Sequence, residues 1–309
     1  MHRNSSKEQK IYRHKFNRTS FKMRFILLLA LPAVVLCQLS PQTTVPCGTP
    51  VVQPITKRIV GGREAAQGSW PWVVMIVATT NDHRFLIEGS GSILGTHVIL
   101  TTAQHFEGSG FSVFDLDLRN WMLYLGNHHR NMRDPNQKVN HIKKVIIHPG
   151  YNVTSLKDDI ALIITQEPIE YNDHTRPACL PDSSHHYHVG DICYLPGWGS
   201  TLTTGDDEVL NQVDMPILDD SVCAHQFRDF LSDTELCAGY ETGIKEFCPS
   251  DLGSPLMCKD SNGIWYIQGL ASSGVNCHIA KYPGVYEDLS MYSDWIKQTM
   301  IVSGYPYEY

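Results

Sequence analysis

The sequence predicts an exported, all-β protein tied by disulfides, and three observations lead there. Beyond residue 59 the chain is a succession of short apolar runs broken by Gly, Pro, Asn and Asp. It carries nine cysteines, and it opens with a basic stretch followed by a greasy one.

The opening comes first. Met1 to Arg24 holds eight Lys and Arg against a single acid, Glu8, and Phe25 to Leu36 (FILLLALPAVVL) has no charge. A basic region, a short apolar run and a cut near Cys37 describe a secretory signal over residues 1–37. MRFILLLALPAVVLC, from Met23, is a complete signal by itself. A retained membrane anchor is the rival reading, but the run is shorter than the ~20 residues that span a bilayer. Residues 38–58, rich in Pro, Thr and Gln, read as an extended leader anchored by Cys47.

Removing the signal changes the electrostatics. It takes eight of 25 basic and one of 32 acidic residues, leaving 17 against 31 and a net charge near −14. Such a body repels nucleic acid and anionic membrane, both of which need clustered cations. The expected partners are therefore proteins or peptides, with no nucleic acid and no membrane after signal cleavage. Eight cysteines remain once Cys37 leaves, an even number that predicts four disulfides in an exported chain. Counting alone does not choose their pairing. There is no CxxC pair and no HExxH, so neither a metal nor another cofactor is predicted.

The apolar runs Trp72–Ala78, Ser92–Leu100, Trp121–Leu125, Val145–Ile147, Ile160–Thr165 and Trp265–Ala271 have the length and spacing of barrel or sandwich strands. Leu289–Ile301 alone has helical spacing, with Leu289, Tyr292, Trp295, Ile296 and Met300 on one face.

Six segments then occur together. They are Arg58-Ile59-Val60-Gly61-Gly62, Thr102-Ala103-Gln104-His105, Asp158-Asp159-Ile160-Ala161-Leu162, Gly197-Trp198-Gly199, Cys248 to Cys258 (CPSDLGSPLMC), and Pro283-Gly284-Val285-Tyr286. In order and spacing this set resembles the chymotrypsin-like (S1) serine proteases. The resemblance implies two six-stranded antiparallel β-barrels over residues 59–301. The first covers about 59–172 and the second about 173–288, with a terminal helix at 289–301 and a tail at 302–309. It implies the disulfides Cys47–Cys179, Cys193–Cys258, Cys223–Cys237 and Cys248–Cys277. The family disulfide beside the histidine is missing, its positions being Gly89 and Phe106.

The resemblance also assigns chemistry. Peptide hydrolysis in this family needs a hydroxyl nucleophile, an imidazole to take its proton and a carboxylate to orient the imidazole. His105 and Asp159 match the last two and are expected to form a retained hydrogen-bonded pair with no present catalytic duty. The position of the nucleophile carries Leu252, which has no hydroxyl. Ser250 and Leu252 match the oxyanion-hole positions. Ser250 and Ser254 replace glycines, Ser273 replaces a cleft tryptophan, and Gln104 enters beside the histidine. Neither Ser250 nor Ser254, each two residues away, is expected to substitute as nucleophile.

Cleavage after Arg58 by a trypsin-like protease would free the Ile59 ammonium to pair with Asp251. Glu246, Ser272, Gly274 and Gly284 match the specificity pocket. Asn152-Val153-Thr154 is a glycosylation sequon. The His128-His129 pair and the His185–His188 run read as solvated loops. The loop after Gly126 offers only Asp134 as a carboxylate, too few for tight calcium. Three readings follow: a secreted homologue that binds or regulates without cleaving, an active trypsin-like endopeptidase, or a hydrolase using water activated by His105.

Overall fold

The computed structural model describes residues 45–56, 62–79, 85–107, 117–130, 134–182, 185, 187–199, 206, 208–227, 231–240, 249–273 and 283–309. After the two-residue strand β1 (Arg63–Glu64), six strands close an antiparallel barrel. These are β2 (Val73–Thr79), β3 (Phe85–Gly95), β4 (Val98–Thr101), β5 (Trp121–Leu125), β6 (Lys138–Ile147) and β7 (Ala161–Thr165), in the order β2-β3-β4-β7-β6-β5. Period-two alternation sets the wall: on β5, Trp121, Leu123 and Leu125 are buried while Met122 and Tyr124 are half-buried. β4 and β7 are buried along their whole length, so their sequences, VILT and ALIIT, read as continuous runs. The apolar run Ser92–Leu100 is not one strand. It turns at exposed Thr96 and becomes the β3–β4 hairpin.

The second half is built from β8 (Ile192–Gly197), β9 (Asn211–Pro216), β10 (Glu235–Ala238), β11 (Pro255–Lys259), β12 (Trp265–Ser273) and β13 (Gly284–Asp288). Its sheet runs β1-β9-β8-β11-β12-β13-β10, so β1 adds a seventh strand at the β9 edge. The two far strands meet again just past β9. Ile217 bridges Ala238, and Leu218 N donates to Cys237 O at 2.9 Å. Six strands of this sheet thus return on themselves, and β1 lies outside that ring.

Helix α1 (Asp220–Phe227) was not expected. Its sequence, DSVCAHQF, carries no apolar stripe, so periodicity gives no sign of it; Cys223 ties it to β10 through Cys237. Helix α2 (Leu289–Val302) matches the expected span to one residue. Asp288 caps it, accepting from Ser290 N at 2.9 Å. Leu289, Tyr292, Ile296 and Met300 are buried, and Trp295 packs half-buried against the same core.

Three disulfides join Cys47 to Cys179, Cys193 to Cys258 and Cys223 to Cys237. Each restricts the unfolded chain by roughly 3 kcal/mol or more. The expected Cys248–Cys277 pair lies outside the described residues. Cys47 does more than tether the leader. Gly48 N donates to Pro177 O at 2.9 Å, Trp265 N donates to Gly48 O at 3.0 Å, and Gln212 Nε2 donates to Ile55 O at 2.9 Å. Among the described residues no helix is long and apolar enough to cross a membrane.

Candidate active site

The first barrel delivers His105 and Asp159 from neighbouring strand ends. His105 closes a short 3-10 turn, Ala103–His105, directly after β4, and Asp159 precedes β7, the strand paired with β4. Both side chains are buried, His105 at 4% exposure and Asp159 at 0%. Yet among the described residues no hydrogen bond or ion pair joins them. The sequence reading, a retained hydrogen-bonded pair, is corrected here.

The carboxylate has other partners. Gln104 N donates to Asp159 Oδ1 at 2.8 Å, and Ser272 Oγ donates to Oδ2 at 2.8 Å. Gln104 Nε2 donates to Asp159 Oδ2 as well, and its second proton goes to Ser272 O at 2.8 Å. The Gln104 amide thus occupies the carboxylate edge and leaves none of its own protons idle. Burial pushes Asp159 up to about 6, against the pull of the Ser272 and Gln104 donors.

The imidazole has gone elsewhere. It lies against the backbone of β3, so close that a Cβ on Gly89 would stand 2.5 Å from His105 Cε1 and 2.9 Å from Nε2. Contacts under 3.0 Å are not tolerated, so a side chain at position 89 would require the ring to move. Gly89 and Phe106 are the two positions where the family disulfide is missing. The bare Gly89 backbone admits the imidazole, and Phe106 packs into the barrel core with its ring 5.0 Å from that of Trp121. His105 Nε2 is buried without a hydrogen-bond partner. Burial lowers the ring to about 4, and the adjacent Leu252 carbonyl only partly offsets this, so the ring is neutral at physiological pH.

The loop opposite comes from the second half. A 3-10 turn, Pro249–Asp251, leads into Leu252, which is half-buried and packs against the apolar cluster of Leu195, Leu256 and Tyr286. Leu252 O accepts from Ser90 N at 2.8 Å, fixing the loop to β3. Asp251 is buried and its Oδ1 accepts from Gly199 N at 2.8 Å. A Cβ on Gly199 would lie 1.9 Å from Asp251 Oδ2, so the Gly197-Trp198-Gly199 segment is the cradle of this carboxylate. Ser250 is half-buried at the turn. Ser254 Oγ is buried without a partner and faces the Gly197 backbone and Asp251.

Other expected site residues fall as follows. Ser272 directs its hydroxyl onto Asp159, and Gly284 opens β13 opposite Ala238. Arg58, Ile59, Glu246 and Gly274 lie outside the described residues. Asn152 is exposed in the loop after β6, with Oδ1 accepting from Thr154 N at 2.9 Å and Ser155 N at 3.0 Å. His128 is buried rather than solvated, its Nε2 3.0 Å from Glu64 Oε1. Asp134 closes its own loop, accepting from His128 N at 2.7 Å and His129 N at 2.9 Å, with the His129 ring at 2.7 Å. His185 lies over Tyr266, centroids 3.9 Å apart. Among the described residues no three His, Cys, Asp or Glu could hold a metal ion.

Sequence reasoning missed Glu287, which is wholly buried behind Asp159. Its Oε1 accepts from Asp159 N at 3.0 Å, and Tyr292 Oη lies 2.6 Å from Oε2 and 2.8 Å from Asp158 Oδ1. One phenol proton cannot serve two carboxyls, so one of the acids carries a proton of its own. Burial pushes Glu287 up to about 8, with the nearby Asp159 and Glu235 charges adding to it against the Tyr292 and Asp159 donors, so Glu287 is the one that keeps it. Its position directly after Pro283-Gly284-Val285-Tyr286 was the available signal.

A closed six-stranded barrel, a second strand ring and a histidine, an aspartate and a serine-rich loop gathered from separate strand ends define a hydrolase-type fold. The chain belongs to the trypsin family, whose family model, Trypsin, matches residues 59–296.

Proposed function

We propose that the chain is a secreted, non-catalytic member of this family. It serves as a binding or regulatory module that engages a protein partner or substrate-like peptide through the cleft and its rim. The observation that carries the reading is Leu252 at the place of the nucleophile. A hydrocarbon there offers no lone pair for attack, and removing the nucleophile of such a triad costs about 10⁶ in turnover. The Gln104 amide on Asp159 supports the same reading, since the imidazole is left without the carboxylate that would orient it. The Ser254 hydroxyl faces Asp251, away from any role as substitute.

Cleavage after Arg58 by a trypsin-like protease belongs to the proposal as a regulatory step. The released Ile59 ammonium would form an ion pair with Asp251, which lies buried in the cradle of Gly197 and Gly199. The cleft rim would change shape without gaining activity, and Cys47–Cys179 would keep the leader attached. Asn152 would carry an N-linked glycan on an exposed loop.

The test is labelling with a fluorophosphonate probe after controlled cleavage at Arg58, beside trypsin as a positive control. No label on this chain is expected. A covalent adduct would overturn the proposal in favour of an active trypsin-like endopeptidase.

A further inference from the structure

A bulge on β6 leaves two consecutive lysines on the outside of the first barrel. Asn140 and Ile142 are buried on the inner side, so Val139, His141 and Lys143 fall on the outer side, where all three are exposed. Between Ile142 and Lys144 the pairing with β7 shifts by one residue, and Lys144 is exposed too. Strict alternation would have turned Lys144 into the core; the bulge re-aims it. Lys138 is exposed at the opening end of the strand. Three of the 17 basic residues left after signal removal thus lie within seven positions, with no acid among them.

The same face has an apolar part. Across the β5–β6 register Tyr124 stands beside Val139 and Met122 beside His141. Tyr124 and Met122 are half-buried, with Tyr124 Oη 3.8 Å from Met122 Sδ, and Val139 is 48% exposed. Among the described residues no carboxylate forms an ion pair with Lys138, His141, Lys143 or Lys144. Asp117, in the turn leading into β5, is bound by the Arg119 guanidinium. Glu167, exposed just past β7 and tied by its backbone to Asn140, sets one carboxylate against three ammonium groups.

Both edges of β6 are paired, with β5 and with β7, so a partner cannot add a strand and must meet the side chains. The cationic run from Lys138 to Lys144 spans about 20 Å, and outward residues on an extended segment recur about every 7 Å. A short segment with acids at alternate positions has the matching period. A nucleic acid or sulfated polysaccharide would overrun the patch onto a body of net charge near −14, and it has no side chain for Val139 and Tyr124. A short peptide stays over the patch, and at physiological salt charges more than about 8 Å away are largely screened. We propose that this face of β6 docks a short, extended acidic segment of a partner protein. Its carboxylates meet Lys143 and Lys144, and an apolar side chain lies on Val139 and Tyr124. The inference goes beyond the cleft reading and does not depend on it.

The experiment is fluorescence anisotropy of a labelled eight-residue peptide, with Glu at alternate positions and one Leu, titrated with the purified chain in 50 mM salt. The same peptide with Gln for every Glu, and a labelled DNA strand of eight nucleotides, are run in parallel. The Glu peptide should bind saturably and about tenfold more tightly than either. Raising the salt to 500 mM should weaken it about tenfold. Lys143→Ser with Lys144→Ser should also weaken it about tenfold, and Val139→Ser about threefold; these positions are exposed, so the fold survives. Lys259→Ser removes an exposed charge from β11 and should leave the affinity unchanged. No saturable binding, equal binding of the Gln peptide, tighter binding of the DNA strand, unchanged affinity in either β6 variant, or an equal loss in Lys259→Ser would each overturn the proposal. Fluorophosphonate labelling reports on the cleft alone, so failure of one reading is not mistaken for failure of the other.

Discussion

A Cβ on Gly89 would stand 2.5 Å from His105 Cε1, so the missing side chain at this point of β3 and the inward position of the imidazole are one structural fact. The backbone of Gly89 does not demand glycine by its torsion; the space does. Replacing Gly89 with alanine should therefore push the ring outward. The same Cβ also meets Leu252 O, at 2.3 Å, so the change should cost about 1–3 kcal/mol of stability as an overpacked site. NMR titration should find the His105 pKa moving up from about 4 toward the ordinary 6.5. An unchanged titration would mean that the ring is buried for another reason.

Restoring the nucleophile should not restore chemistry. Leu252→Ser alone leaves the Gln104 amide on Asp159 and His105 beside Gly89, so fluorophosphonate labelling should stay at background. Adding Gln104→Ala frees the carboxylate edge, and adding Gly89→Cys with Phe106→Cys closes the space the ring now uses. Labelling should emerge only as these changes are combined. Full labelling of Leu252→Ser by itself would show that the Gln104 contact yields readily.

Stability should fall as pH rises from 6.5 to 8. Glu287 titrates near 8 in the folded protein and near 4.5 unfolded, so the folded state holds the extra proton. Its contribution is complete below about 4.5 and is lost as pH climbs through the folded value, at up to about 1.4 kcal/mol per pH unit. Below pH 6 two other groups oppose each other. Asp159, raised to about 6, acts in the same direction as Glu287, whereas His105, lowered to about 4, gains stability with pH up to 6.5. Thermal unfolding at pH 6.5, 7.2 and 8 should show a declining Tm. Glu287→Gln, which keeps a neutral polar group between Asp159 N and Tyr292, should flatten the slope. A Tm that rises over this interval would contradict a proton on Glu287.

Much of the architecture was legible because its signals are local. The strand β5 and the helix α2 follow from spacing alone, and the ordered motifs carry the family. What escaped depended on contacts between distant positions. Gln104 was visible as a departure beside the histidine, but its partners are Asp159, 55 positions away, and Ser272, 168 positions away. No periodicity reports such a pairing, so His105 and Asp159 read as joined when they are not. Glu287 looked like an ordinary polar residue after a motif, because its burial is created by Tyr292 and Asp159 together.

Tyr292 has a consequence for the order in which the molecule can be completed. Its hydroxyl reaches Asp158, at the edge of the first barrel, and Tyr307 Oη accepts from Leu180 N at 2.8 Å, while Ser293 Oγ donates to Pro181 O at 2.6 Å. Residues that leave the ribosome late therefore clasp segments that left it long before. The early half must wait for the late one, and a premature stop codon just ahead of position 289 would unfasten both.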